Sequence, residues 1–327
     1  MMQPSGGAQI LAKLLPVFLL IALGAALRRT RFLSEPVAEG MKKLAVQLTL
    51  PVVIFRSLLE VEFKGTYIAL AGAVFLASVL LLCAGTGIAK RLRWENPYIP
   101  ALFTGFENGM LGYGVLAAAL GQENMYPIIL MDLGQTFFFA LVFTAYMRVK
   151  NGEAGSVSVK SILKGFAANP YIWVSLLAIA VKGCGGTARL SESPLLQGVD
   201  EGLRLLAGLT TPLMCIAIGY GLQIHRKTLR RCAAVVGMRF ALTLCAAVLF
   251  DVLVVKGLLR LGGIFSAAAY TMFMLPPFFV GALLIRGDAA EERAFALNCI
   301  SLHILLFLAV FSCLLYTSPS PRDISGS

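Results

Sequence analysis

The chain has 327 residues, of which 58% are hydrophobic and only 14% charged, and Lys and Arg outnumber Asp and Glu by 28 to 17 for a net charge of +11. A soluble globular chain carries about 25% charged residues, whereas the mean hydropathy here is +0.82. Apolar runs long enough to cross a ~30 Å hydrocarbon core recur along the chain, which excludes a soluble enzyme, a nucleic-acid binder and a disordered chain and points to an all-α polytopic membrane protein.

Ten spans are predicted. The first five run from Ile10 to Leu27, Leu44 to Leu59, Tyr67 to Ala89, Tyr98 to Leu120 and Met125 to Tyr146. The second five run from Phe166 to Val181, Leu203 to Leu222, Ala233 to Val254, Ile264 to Leu284 and Phe295 to about Leu315. The first run has neither a basic leader nor a small-residue cleavage site, so it reads as a span and not as a signal peptide. Loop cations set the orientation. Eighteen, among them Arg28, Lys42, Lys43, Lys90, Arg148 and Arg226, follow odd-numbered spans, against five after even-numbered ones (Lys64, Lys182, Arg189, Lys256 and Arg260). Cytoplasmic loops are rich in Lys and Arg. The odd-numbered loops are therefore expected inside a cell (inner) membrane, with both termini on its outer side.

The longest polar connection divides the chain into a first five-helix repeat (1–147), a cytoplasmic linker (148–165) and a second five-helix repeat (166–312). Five is odd, so the second repeat must run inverted. The halves also match in detail. Span two reads Leu48-Thr49-Leu50-Pro51 and span seven Leu209-Thr210-Thr211-Pro212, and spans one and six carry Pro16 and Pro170. Span four contains Asn108, Gly109, Gly112 and Gly114, and span nine contains Pro276 and Pro277. Glycine weakens a helix by about 1 kcal/mol relative to alanine, and proline removes a backbone donor. Both spans should therefore be broken. Paired interruptions in matching spans of two halves point to the binding site of an inverted-repeat transporter. Unwound backbone in a bilayer lines a cavity or is buried in protein; the alternative for the glycines is a close helix contact.

Charged groups in the spans are the next guide, since intramembrane ionisable residues mark ion and proton pathways. Glu107 lies within the break of span four. It is a candidate proton carrier, the alternative being a carboxyl that holds one helix to another. Asp132 and Gln135, three apart, share a helix face and are candidates for proton or ion coupling or for structural pairing. Arg56 and Lys13 should snorkel to the outer interface, Asp251 should lie near the outer boundary, and His303 reads as a packing residue with a hydrogen bond. The seven cysteines show no metal-ligand or disulfide spacing. No catalytic motif is present, so neither enzyme activity, a metal nor a cofactor is expected.

The ten-span plan, Leu48-Thr49-Leu50-Pro51, Asn108-Gly109-Met110-Leu111-Gly112-Tyr113-Gly114, Asn169-Pro170 and Thr211-Pro212-Leu213 with Ile218-Gly219 together resemble the auxin efflux carrier family of membrane transport proteins. The resemblance covers about Leu11 to Ser312. It implies a scaffold and a mobile core with two crossed, broken helices, working by an elevator-like movement on small organic anions: auxin in plant members, malate or malonate in some bacterial ones. The chain departs from the family at Gly114, where a proline is common, and at Glu107, where a small or amide residue is expected. The segment from Cys313 to Asp323 resembles a translated sequencing adapter, so residues 313–327 are expected to be a non-native tail.

The expectation is a secondary transporter, for efflux or exchange, of a small organic anion such as a mono- or dicarboxylate. Asn108, Gly109, Gly112 and Gly114 would meet substrate from one side and Pro276 and Pro277 from the other; Glu107, Asp132 and Gln135 would couple transport to a proton. The alternatives are a sodium-coupled symporter of the bile-acid type, with Glu107 and Gln135 as oxygen ligands, and a membrane ligand sensor. Expected partners are the anion, a proton or sodium, and membrane lipids, with no nucleic acid. Small-residue faces would suit a homodimer as well as lipid.

Overall fold

A computed structural model describes residues 6–61, 64–121, 124–153, 160, 170–186, 193–222 and 226–317. Among the described residues the chain is all helix and turn, with no strand. In chain order the helices are α1 (Gly6–Arg29), α2 (Glu35–Leu44), α3 (Leu50–Glu60), α4 (Gly65–Arg91), α5 (Tyr113–Leu120), α6 (Tyr126–Phe138) and α7 (Thr144–Lys150). There follow α8 (Pro170–Gly183), α9 (Pro194–Gly208), α10 (Thr210–Gly221), α11 (Leu229–Phe250), α12 (Gly263–Met274), α13 (Phe279–Leu283) and α14 (Ala290–Thr317). Among the described residues, six helical stretches are long and apolar enough to cross a membrane: Gly65–Arg91, Tyr126–Lys150, Pro194–Gly221, Arg226–Leu258, Gly263–Leu283 and Ala290–Phe311. The protein is thus a multi-pass, all-α membrane protein. Residues 318–327, most of the expected tail, and much of the expected linker lie outside the described residues, while α14 continues as helix to Thr317.

Helices join end to end through wide π turns at Ala45–Thr49 and Phe139–Phe143, and α11 ends in another at Asp251–Leu258. The first lies immediately ahead of Pro51, whose ring would clash with the carbonyl four residues back in a regular helix. Widening the turn relieves that clash and leaves a backbone carbonyl for outside partners. The Tyr171 hydroxyl of α8 donates to the Val46 carbonyl at 3.1 Å. On the same turn the buried Thr49 hydroxyl accepts from that of Thr210 at 2.8 Å. The Leu-Thr motifs of spans two and seven therefore meet face to face.

Close packing elsewhere rests on glycine. α1 lies along α10, and α4 along α6. A Cβ on Gly24 would run into the Ile216 carbonyl, one on Gly219 into the Ile21 carbonyl, and one on Gly134 into the Ala71 carbonyl. In lipid, where apolar surface gains little from burial against more apolar surface, such close backbone approach and the dispersion it brings hold helices together. α11 packs on α12 and α14, around a core that includes Phe250, Phe273 and Phe307.

Two polar ties cross long sequence distances. Arg56 on α3 pairs with Asp200 on α9 at 2.7 Å. It is thus tied to a carboxylate of another helix, a partner the sequence did not indicate. The Tyr98 hydroxyl meets Asn151 Oδ1 at 2.9 Å while Asn151 Nδ2 donates to the Leu284 carbonyl at 2.9 Å. That clip links the start of one broken helix to the end of the other. Asp251 is fully buried and pairs with Lys256 at 2.7 Å, about one turn along its own helix. The side chain of Lys13 lies outside what the structure describes.

Candidate functional site

Both expected breaks are present. The stretch 99–120 is a short 3-10 helix (Ile99–Phe103), an extended link, a π turn (Asn108–Gly112) and then α5. Gly105 makes the turn possible with a φ of +72°, and a Cβ there would strike the Phe278 ring. The stretch 263–283 is α12, an interruption at 275–278 and α13. Pro276 and Pro277, without backbone donors, stop the first ladder there.

The two breaks are joined to each other. The Glu107 backbone N–H donates to the Pro276 carbonyl at 2.9 Å, and the Phe279 backbone N–H donates to Glu107 Oε2 at 2.6 Å. Glu107 therefore caps α13 from the opposite break. The link is also tied to α6: Phe106 N–H donates to Gln135 Oε1 at 2.8 Å, and Gln135 Nε2 donates to the Phe106 carbonyl at 2.7 Å. A side-chain amide thus completes the backbone pairing that the break interrupts.

Three donors converge on Asp132. Asn108 Nδ2 and Gln135 Nε2 reach Oδ1 at 2.7 and 3.0 Å, and the Tyr113 hydroxyl reaches Oδ2 at 2.7 Å. Hydrogen bonds to a charged group contribute about 1.5–3 kcal/mol each, so this knot fixes α6 against the π turn. Asn108 Oδ1 is left buried without a partner.

Beside this knot lies a cavity of about 690 Å³ bordered by Glu107, Gly109, Asp132, Gln135 and Thr136 on one side and by Lys42, Lys43, Val46, Gln47 and Tyr171 on the other. Phe106, Phe139 and Phe278 supply an aromatic wall, and Pro36, Glu39 and Gly40 stand at its α2 end. Lys42 reaches in from the polar stretch ahead of span two. Its ammonium is 3.6 Å from the Phe279 ring centroid and 3.6 Å from Glu39 Oε1. Burial lowers the Lys42 pKa below the ordinary lysine value, against the opposing pull of Glu39 and Glu107.

The structure brings Glu107, Gly109, Asp132 and Gln135 together on the cavity wall. Asn108 is 1% exposed and stands behind Asp132. Gly112 and Gly114 serve packing: a Cβ on Gly112 would come within 2.6 Å of Leu275 Cδ1, and one on Gly114 would rest on Thr211 of α10 at 3.4 Å. Pro276 and Pro277 are buried at the crossing, while Phe278 and Val280 beyond them reach the cavity. His303 meets the Met274 carbonyl at 3.2 Å through Nε2, as a packing residue would. Sequence reasoning assigned no role to Lys42, Tyr113, Tyr171 or Arg239. Tyr113 lay within the motif that drew attention to Asn108, and Arg239 was legible as a cation inside an apolar helix.

A family model described as membrane transport protein matches residues 9–287. The chain belongs to the membrane transport protein family. This is the auxin efflux carrier family of the resemblance drawn from its motifs. The chain is also 24% identical over 260 residues, 75% of its length and 79% of the relative's, to an uncharacterized transporter of Methanothermobacter thermautotrophicus. As a member of this family the protein is a membrane transporter, and the paired breaks with their adjoining cavity are where its polar machinery is concentrated.

Proposed function

We propose that the protein is a secondary transporter of a small organic anion, coupled to a proton and working by alternating access between two inverted five-helix halves of a ten-span bundle. The single observation that carries this reading is the cavity, in which Glu107 at the first break and Asp132 on α6 share a lining with Lys42, Lys43 and an aromatic wall. Lys42 and Lys43 supply attraction for a carboxylate, and Phe106, Phe139 and Phe278 supply apolar contact for its body. An anion beside Glu107 and Asp132 would be repelled by two charges. Asp132 is held by three donors on α6 and the π turn, and Glu107 stands at the crossing of the two breaks, so Glu107 is the group assigned to take up a proton with each anion.

The cavity lies at the α2 end of the site, the end that the loop cations assign to the cytoplasm. This structure is then the inward-facing state of an inner-membrane protein, and an outward-facing state would require the broken helices to shift against α2, α3 and α8. The alternative is sodium coupling, with Glu107 and Gln135 as oxygen ligands for a hard cation.

The test is counterflow of radiolabelled malate, malonate and phenylacetate in proteoliposomes, with imposed proton or sodium gradients. Anion uptake that a proton gradient drives and a sodium gradient does not is the expected result. The Glu107→Gln variant should still exchange anion but lose the response to pH. An unchanged pH response in that variant would end the proton-carrier role, and binding without flux would make the protein a sensor.

A further inference from the structure

Arg239 is the largest side chain that the fold buries almost completely, at 1% exposure. It stands on the 33-residue apolar stretch Arg226–Leu258, thirteen residues from the start, or roughly 20 Å along the axis at about 1.5 Å per residue. That falls inside the span read as Ala233 to Val254. Among the described residues no carboxylate forms an ion pair with it, and its Nε has no hydrogen-bond partner. Its guanidinium instead donates from Nη1 to the Leu102 carbonyl at 2.9 Å, and from Nη2 to the Gly105 and Leu275 carbonyls at 2.8 and 2.9 Å.

Those three acceptors have one thing in common. They lie at or just beyond the carboxyl ends of the two helical pieces that lead into the breaks, Ile99–Phe103 and α12. Orphan carbonyls collect there, and the helix dipole is negative. The pieces that leave the breaks begin at Asn108 and Phe279, and their amino ends lie beside Glu107, Gly109 and Phe278 at the cavity. The crossing thus separates its poles: negative ends turn to Arg239 and positive ends turn to the cavity. Between the two lies Phe106, whose ring centroid is 5.6 Å from the guanidinium carbon and which also borders the cavity.

An arginine without a counter-ion is expensive inside a span, and a hydrogen-bonded lysine or amide would serve for mere capping of one carbonyl. What a guanidinium adds is a planar fork that spans both breaks at once, with a permanent charge. We propose that Arg239 is a positioning residue for anion selection: it locks the two breaks in one register, cancels their negative ends, and leaves a net positive field in the binding cavity from behind Phe106. This rests on the anion-transport reading above.

The experiment compares equilibrium binding to purified protein of two acids, malonate and phenylacetate, with that of their neutral amides, by scintillation proximity. The protein is the wild type, Arg239→Met or Arg239→Lys, each checked for a monodisperse profile. The wild type should prefer acid to amide. Arg239→Met should weaken acid binding at least tenfold and leave amide binding within a factor of about three, so that the preference collapses. Arg239→Lys should restore the acid preference while exchange in proteoliposomes stays slow, because a lysine cannot hold three carbonyls in a fork. A folded Arg239→Met protein with its acid preference intact would overturn the inference. If the methionine variant does not fold, the lysine variant decides, and loss of its preference would overturn the inference equally. A wild type that binds none of the acids removes the anion reading and this inference with it, whereas a wild type that binds them with Arg239→Met unaltered removes the inference alone.

Discussion

The seam between α1 and α10 and the crossing of the two broken helices are both built on glycine, and they use it for opposite ends. At the seam, Gly24 and Gly219 stay helical, and each lets the opposing backbone come where a Cβ would otherwise sit. At the crossing, Gly105 takes a left-handed φ and ends a helix, and side chains then replace the missing backbone partners. At the seam both helices run on without interruption. The crossing has a side-chain or backbone donor at almost every interrupted carbonyl: Gln135 at Phe106, Arg239 at Leu102, Gly105 and Leu275, and Glu107 N–H at Pro276. Glycine content alone therefore does not distinguish a contact from a break. The neighbours help, since at the break buried polar residues complete the interrupted ladder.

The sharpest way to break this comparison is Gly105→Ala. A left-handed residue with a Cβ costs about 1–2 kcal/mol, and the new methyl would overlap the Phe278 ring, so the extended link must shift. Loss of anion exchange by a hundredfold or more is expected, measured as initial rate in proteoliposomes, with the protein still monodisperse. Gly219→Ala should act the other way. Overpacking costs about 1–3 kcal/mol, and here it falls on a backbone carbonyl, so thermal stability in detergent should drop while the substrate dissociation constant of the surviving folded fraction stays put. If Gly219→Ala altered affinity and Gly105→Ala altered only stability, the division between seam and crossing would be wrong. The smallest effect is expected at Thr49→Val. It removes the hydroxyl pair with Thr210, and interhelical hydrogen bonds in membranes average about 0.6 kcal/mol, so a melting shift of a degree or two is the expected reading.

Much of the helical layout was legible because apolar length is a local property. The breaks were legible for the same reason: Asn108 to Gly114 and Pro276-Pro277 each interrupt a helix by their own backbone chemistry. That Asp132 and Gln135 share a face followed from spacing alone. What stayed hidden depends on partners far away in the chain. Nothing near Arg239 indicates that its acceptors are Leu102 and Gly105, 137 and 134 residues distant. Nothing near Arg56 indicates Asp200, 144 residues away, and a snorkelling cation is the default for such a residue until a carboxylate is found. Gly112 and Gly114 were read as lining the site, and a glycine's sequence does not show that Leu275 and Thr211 stand beside them. Lys42 was counted among loop cations, since its reach into the cavity depends on the tilt of α2.

The crossing has a consequence for how the chain is held together. Glu107 and Gly105 come from one half, and Pro276, Phe279 and Arg239 from the other, and the bonds among them run in both directions. The Asn151 clip adds a second bridge, from Tyr98 to Leu284 at the end of the second break. Each break is thus completed by groups from the far end of the sequence, so a lesion in one should be felt in the backbone of the other.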